Sequence, residues 1–135
     1  MKYLLILATM FGLMFNAAAQ ENAKTGGAKI VFAKQSHDFG DITQGEKVKT
    51  VFTFTNDGTE PLVLSKVATT CGCTAPSWPR EPVMPGEAGE IEVEFNSSGK
   101  MGMQNKVITV YSNATNPNAR VKITTNVLPG SNPNK

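Results

Sequence analysis

Hydrophobic and polar residues alternate along several short segments of the chain, which predicts β-strands rather than helices. The clearest case is Glu90–Phe95, where Ile91, Val93 and Phe95 are separated by glutamates. Val48–Asn56 alternates in a similar way, with Val48, Phe52 and Phe54 on one side. A period of two places successive side chains on opposite faces of a sheet. These segments therefore predict antiparallel strands with one face on a core and the other in water.

Four further segments have strand composition, and turn residues separate them. They are Ile30–Ala33, Pro61–Val67, Lys106–Ser112 and Arg120–Leu128. The intervening turns are rich in Asn, Asp, Gly and Pro, and no stretch keeps a helical spacing. About seven short strands in about 100 residues predict an all-β fold, an immunoglobulin-like β-sandwich. A small Greek-key barrel is the structural alternative.

The N-terminus has the three parts of a secretory signal peptide. Lys2 provides a positive start, Leu4–Phe15 is an apolar run, and Ala17-Ala18-Ala19 supplies small residues for cleavage before Gln20. The apolar run is shorter than the roughly 20 residues needed to span a bilayer. We expect residues 1–19 to be removed between Ala19 and Gln20. The protein is then exported, periplasmic or extracellular, and its mature chain has no transmembrane anchor.

The remaining chain has the length of one domain. Residues 20–29 are polar and predict a flexible leader, residues 30–128 carry the strands, and residues 129–135 predict a disordered tail. The sequence has 13 basic and 11 acidic residues, and loss of Lys2 leaves 12 − 11 = +1. A near-neutral charge gives no reason to expect nucleic acid as a partner. We expect another envelope protein or surface component instead.

An ordered series of motifs resembles the bacterial domain-of-unknown-function family 1573. The motifs are Phe39-Gly40-Asp41-Ile42, Gly45, Phe52–Gly58, Pro61-Leu62, Cys71–Thr74, Trp78-Pro79, Pro85-Gly86, Ile91–Phe95, Gly102–Lys106 and Ser112-Asn113. The resemblance runs from Phe32 to Val127. It implies an exported bacterial β-sandwich similar to the modules of hydin, the major sperm protein and pilus chaperones. It implies no established activity.

Cys71 and Cys73, separated only by Gly72, form the main candidate site. In an extended strand, residues two apart lie about 6.6 Å from each other, at the upper limit for a disulfide. Gly72 can adopt backbone angles that shorten this distance. So short a loop would add little stability, which favours a redox role over a stabilising one. Against a redox role, the motif is not C-x-x-C at the start of a helix. Two reduced, buried cysteines are the third alternative.

A soft metal ion is another candidate ligand for the cysteine pair. Met101 and Met103, two residues apart, and the single His37 are additional donors. Thiolate and thioether sulfur prefer monovalent copper, so the sequence raises the hypothesis of a copper site. Ordinary packing of the methionines and a surface position for His37 are the simpler interpretations.

The sequence does not predict an enzyme. It has one histidine, no nucleophile elbow and no phosphate-binding glycine loop, and we expect no catalytic residues and no cofactor. We rank three functions. The first is a non-catalytic binding or structural module, binding through an exposed sheet edge. The second is a monovalent copper carrier using Cys71 and Cys73, and the third is a thiol–disulfide exchange protein.

Overall fold

The computed structural model describes residues 26–131. The predicted signal peptide, its cleavage site, most of the leader and the last four residues lie outside the described range. Within residues 26–131 there is no helix of the length and apolarity that a membrane span requires.

Within residues 26–131, eight β-strands form two four-stranded sheets. In chain order they are β1 (Ile30–Phe32), β2 (Ser36–Thr43), β3 (Lys47–Asn56), β4 (Leu64–Thr69), β5 (Thr74–Ser77), β6 (Ala88–Asn96), β7 (Gly102–Ser112) and β8 (Asn118–Leu128). The first sheet has the order β1-β3-β6-β5 and the second β2-β8-β7-β4. All strand pairs are antiparallel except β2 and β8, which are parallel. The predicted all-β, immunoglobulin-like sandwich is confirmed.

The alternating strands supply the core between the two sheets. On β6, Ile91, Val93 and Phe95 are fully buried while the glutamates between them face outward. On the neighbouring β3, Phe54 lies directly opposite Gly89. A Cβ atom on Gly89 would come within 2.5 Å of the Phe54 ring, so the glycine leaves room for that ring. The largest fully buried apolar side chains are Phe52, Phe54, Phe95, Leu62, Ile91, Ile108 and Ile123.

Two strands were not expected from the sequence. β2 contains Asp38, Gly40 and Asp41, which break the apolar alternation, and its register shifts between the two aspartates. Gly40 there has a positive φ of 71°, which glycine adopts readily. β5 has four residues and includes Pro76, which lacks an N–H, so it is tolerated only at a sheet edge. Both strands exist because a longer neighbour, β8 or β6, pairs with them.

The chain passes from one sheet to the other in every connection from β1 to β5. The last of these four crossings, between β4 and β5, is the segment that contains both cysteines. The β2–β3, β4–β5 and β6–β7 connections lie at the same end of the sandwich, which we call the cysteine end.

Candidate functional site at the cysteine end

Cys71 and Cys73 are joined by a disulfide bond, with their sulfurs 2.09 Å and their Cα atoms 5.3 Å apart. The chain shortens the distance by forming a turn in which the N–H of Thr74 donates to the C=O of Cys71 at 3.2 Å. Gly72 lies at the exposed tip, and a Cβ placed on it would meet no atom within 4 Å. The turn therefore brings the cysteines within bonding distance and leaves open space beside them.

Hydrogen bonds hold both ends of this turn independently of the sulfur–sulfur bond. The hydroxyl of Thr69 donates to the C=O of Cys71 at 2.8 Å. The N–H of Asn96 on β6 donates to the C=O of Cys73 at 2.9 Å. Just before the turn, the N–H of Thr70 donates to the C=O of Val107 on β7 at 3.2 Å. The turn is thus attached to both sheets by its backbone.

The two sulfurs have different surroundings, although both cysteines are half-buried. The Sγ of Cys71 accepts a hydrogen bond from the backbone N–H of Cys73 at 3.2 Å. Cys73 packs against the hydrophobic core, and its own Sγ lies 4.0 Å from the Thr74 hydroxyl. The N–H donor beside Cys71 would stabilise negative charge on that sulfur.

A buried serine fixes the neighbouring connections. Ser97 is completely buried after β6, and its Oγ lies 2.7 Å from the C=O of Glu46. Its N–H also donates to the C=O of Glu46 at 3.0 Å. The Gln44 amide donates to the C=O of Lys100 at 3.1 Å. These hydrogen bonds join the β2–β3 connection to the β6–β7 connection and hold the cysteine end in a fixed shape.

Three exposed apolar side chains lie near one another at the same end of the second sheet. Met103 on β7 pairs with Asn126 on β8, so it is a diagonal neighbour of Leu128 on the outer face of the sheet. Met101 directly precedes β7, whose first residue, Gly102, pairs with Val127. Met101 is 53%, Met103 67% and Leu128 42% exposed. We call these three residues the methionine patch.

The proposed metal ligands are not brought together. Thr70, just before the cysteine turn, is hydrogen-bonded to Val107 on β7. Met103 lies four residues further along β7, which places it about 13 Å from Val107 at the rise of a strand. His37 lies on β2, two strands from β7 in the sheet. In the disulfide, neither cysteine offers a thiolate. Among residues 26–131, no three His, Cys, Asp or Glu side chains are grouped as metal ligands.

His37 has local contacts instead. The Lys34 ammonium donates to its Nδ1 at 2.9 Å, and its ring lies edge-on to Phe39 with 4.6 Å between ring centroids. Burial lowers the pKa of His37 from its ordinary value, the Lys34 charge lowers it further, and Asp38 opposes the shift. The neutral ring is therefore favoured in the folded protein.

Trp78 follows β5 and packs half-buried against the core. The guanidinium carbon of Arg80 lies 3.9 Å from the ring centroid, a cation–π contact. The indole Nε1 is buried and has no hydrogen-bond partner within the described part of the chain. Trp78 therefore acts as a cover for the core beside the short edge strand.

Comparison with protein families identifies the chain. Residues 30–127 match the family described as "Protein of unknown function (DUF1573)". The chain belongs to this family. The match covers all eight strands of the DUF1573 domain except the last residue of β8. No curated protein matches the chain.

Solved structures resemble the DUF1573 domain in fold. A protein of unknown function from Porphyromonas gingivalis W83 has a TM-score of 0.66 at 20% identity, over 79% of this chain and 51% of that one. This chain thus spans about half the length of the Porphyromonas protein. The ASH/PapD-like domain 7 of human CEP192 has a TM-score of 0.65 at 11% identity, over 97% and 99%. The secreted serine protease VesC from Vibrio cholerae has 0.58 at 14%, over 77% and 24%. At these identities the likeness shows a shared immunoglobulin-like fold alone.

Proposed function

We propose that this protein is an exported, non-catalytic binding module that contacts another envelope protein through the methionine patch. The observation that carries the proposal is the grouping of the exposed Met101, Met103 and Leu128 where β7 begins and β8 ends. Isolated apolar residues are common on protein surfaces, but a group of them indicates an interaction site. The other strongly exposed apolar side chains, such as Val31 and Met84, lie at different places in the fold.

Methionine suits such a surface because its side chain is unbranched and polarisable and adapts to irregular partners. The patch also lies beside connections that hydrogen bonds hold in place, since Ser97 and Gln44 join the β2–β3 connection to the β6–β7 connection. A rigid base under adaptable side chains lowers the ordering cost of binding. We therefore expect a protein partner with a complementary apolar surface rather than a nucleic acid.

The fold is consistent with a binding role. The sandwich interior is filled by side chains from both sheets, and the immunoglobulin-like fold also occurs in the PapD-like domain of CEP192. The chain matches only 24% of VesC, so the activity of that protease gives no argument here. The sheet edges that the sequence suggested for binding carry fewer exposed apolar groups than the patch does.

The test is affinity capture from envelope extracts with the mature protein as bait. We expect a specific partner that the wild type retains and the double variant Met101→Gln, Met103→Gln loses. Met84→Gln is the matched control, because Met84 is also a methionine about half exposed but lies outside the patch. Equal capture by wild type and double variant would exclude the patch as the contact surface.

The copper-carrier hypothesis requires reduction of the disulfide and movement of the methionines. The wild type, reduced and mixed with monovalent copper, would have to bind tightly, and Cys71→Ser would have to abolish binding. Met103 lies about 13 Å along β7 from Val107, the hydrogen-bond partner of Thr70 just before the cysteine turn. We therefore expect the cysteine pair to bind copper without the methionines, which gives a weak site.

A further inference from the structure

We propose that the Cys71–Cys73 disulfide is a redox site that accepts two electrons from a protein dithiol, and that Cys71 is the sulfur released as a thiolate. This activity does not depend on the methionine patch, so it stands or fails separately from the binding role. It rests on three observations: the position of the disulfide, the independence of the turn from it, and the hydrogen bond to Cys71.

The position of the disulfide allows another thiol to approach. Both cysteines are half-buried rather than enclosed, and the tip residue Gly72 is exposed with open space on its side-chain position. The bond lies in a connection rather than inside the core. Attack on a disulfide requires access to sulfur, and this turn provides it.

The fold does not need the disulfide bond. This disulfide closes a loop of only three residues, so it constrains the unfolded chain far less than a disulfide between distant strands would. The Thr69, Asn96 and Thr74 hydrogen bonds hold the turn in its present shape. Reduction therefore leaves the two sulfurs close together in a folded protein, ready to form the bond again.

The hydrogen bond to Cys71 gives the exchange a direction. The N–H of Cys73 points at the Sγ of Cys71 at 3.2 Å, while the Sγ of Cys73 has only the distant Thr74 hydroxyl. A thiolate on Cys71 would keep this donor after reduction. The better stabilised thiolate leaves faster, so attack occurs at Cys73.

The reaction has two steps. A thiolate of the partner dithiol attacks the Sγ of Cys73, the bond to Cys71 breaks, and its electron pair goes to the Sγ of Cys71. The second thiolate of the partner then attacks the partner's own sulfur in the mixed disulfide, and the Sγ of Cys73 leaves and takes a proton from water. The partner dithiol is oxidised to a disulfide, and the Cys71–Cys73 disulfide is reduced to two thiols.

The first test is reduction of the folded wild-type protein by dithiothreitol, without denaturant. Iodoacetamide alkylation followed by mass spectrometry counts the thiols, and circular dichroism reports the fold. We expect two thiols, an unchanged spectrum, and return of the disulfide on addition of oxidised glutathione. A disulfide that is reduced only after the protein has been unfolded would overturn the proposal.

The second test compares Cys73→Ser, which keeps Cys71, with Cys71→Ser, which keeps Cys73. A hydrogen bond to a charged group raises the thiolate fraction about tenfold, so alkylation of Cys71 should reach half its maximum about one pH unit lower. Peptide mapping of partly alkylated, reduced wild type gives the same comparison without substitutions. Equal pH profiles for the two cysteines would contradict the assignment of Cys71.

Discussion

Removal of the disulfide by the double substitution Cys71→Ser, Cys73→Ser should cost the protein little stability. The bond closes a loop of only three residues. In the chain-entropy treatment such a loop contributes about 1.6 kcal/mol at 25 °C, against about 4.7 kcal/mol for a loop of 100 residues. Because the turn keeps its hydrogen bonds to Thr69 and Asn96, we expect its backbone to stay in place.

Equilibrium urea unfolding, followed by circular dichroism, measures this loss. With a slope of about 1–3 kcal/mol per molar urea, a loss of about 1.6 kcal/mol lowers the midpoint by about 0.5–1.6 M. The wild type reduced with dithiothreitol is the control, and its midpoint should agree with that of the double variant. A loss above about 3 kcal/mol, or failure of the variant to fold, would show that the bond is structural and refute the reasoning.

Three further predictions concern the fold away from the cysteine end. Asn56 is fully buried and makes four hydrogen bonds through its amide, so Asn56→Ala should cost about 3 kcal/mol in the same urea assay. Asn113→Ala, which removes two exposed amide hydrogen bonds, should cost under about 1 kcal/mol, and equal losses would contradict the role of burial. Gly89→Ala should lower the thermal midpoint and cost about 2 kcal/mol or more, because the new methyl meets the buried Phe54 ring, and an unchanged midpoint would show that the ring can move. Folding lowers the pKa of His37 from 6.5, chiefly through burial, so below about pH 6.5 the unfolded chain binds more protons than the folded protein. The contribution of neutral His37 to stability is therefore present above about pH 6.5 and is lost as the pH falls through the lowered pKa. From about pH 7.5 to about pH 5.5 the free energy of unfolding should fall more for the wild type than for His37→Gln, and identical losses would refute this coupling.

The sequence predicted the strands whose own side chains alternate, and it missed those that depend on a neighbour. β6 and β8 follow a regular apolar period, and their inward residues are buried as expected. β2 and β5 have no such period, since Asp38 and Pro76 interrupt them, and they form because β8 and β6 offer free edges. Pairing between distant segments is a tertiary effect that a local pattern does not contain.

The candidate site was predicted in the same partial way. The spacing of Cys71 and Cys73 permitted a disulfide, but only the turn closed by Thr74 shows how the gap is shortened. The grouping of Met103 with Leu128 depends on the register of β7 with β8, which joins residues far apart in sequence. The spacing along the chain indicated Met101 and Met103 as a pair, but it did not indicate Leu128 as the third residue of the patch.

The parallel pairing of β2 with β8 has a consequence for how the chain reaches its folded state. Contacts there join residues about 85 positions apart, such as the Thr125 hydroxyl with the C=O of Gly40, and Asn126 with Asp41. The second strand has no partner in its sheet until the last strand has been synthesised. Folds dominated by such distant contacts form slowly. The sandwich therefore cannot close during synthesis before β8 has emerged from the ribosome.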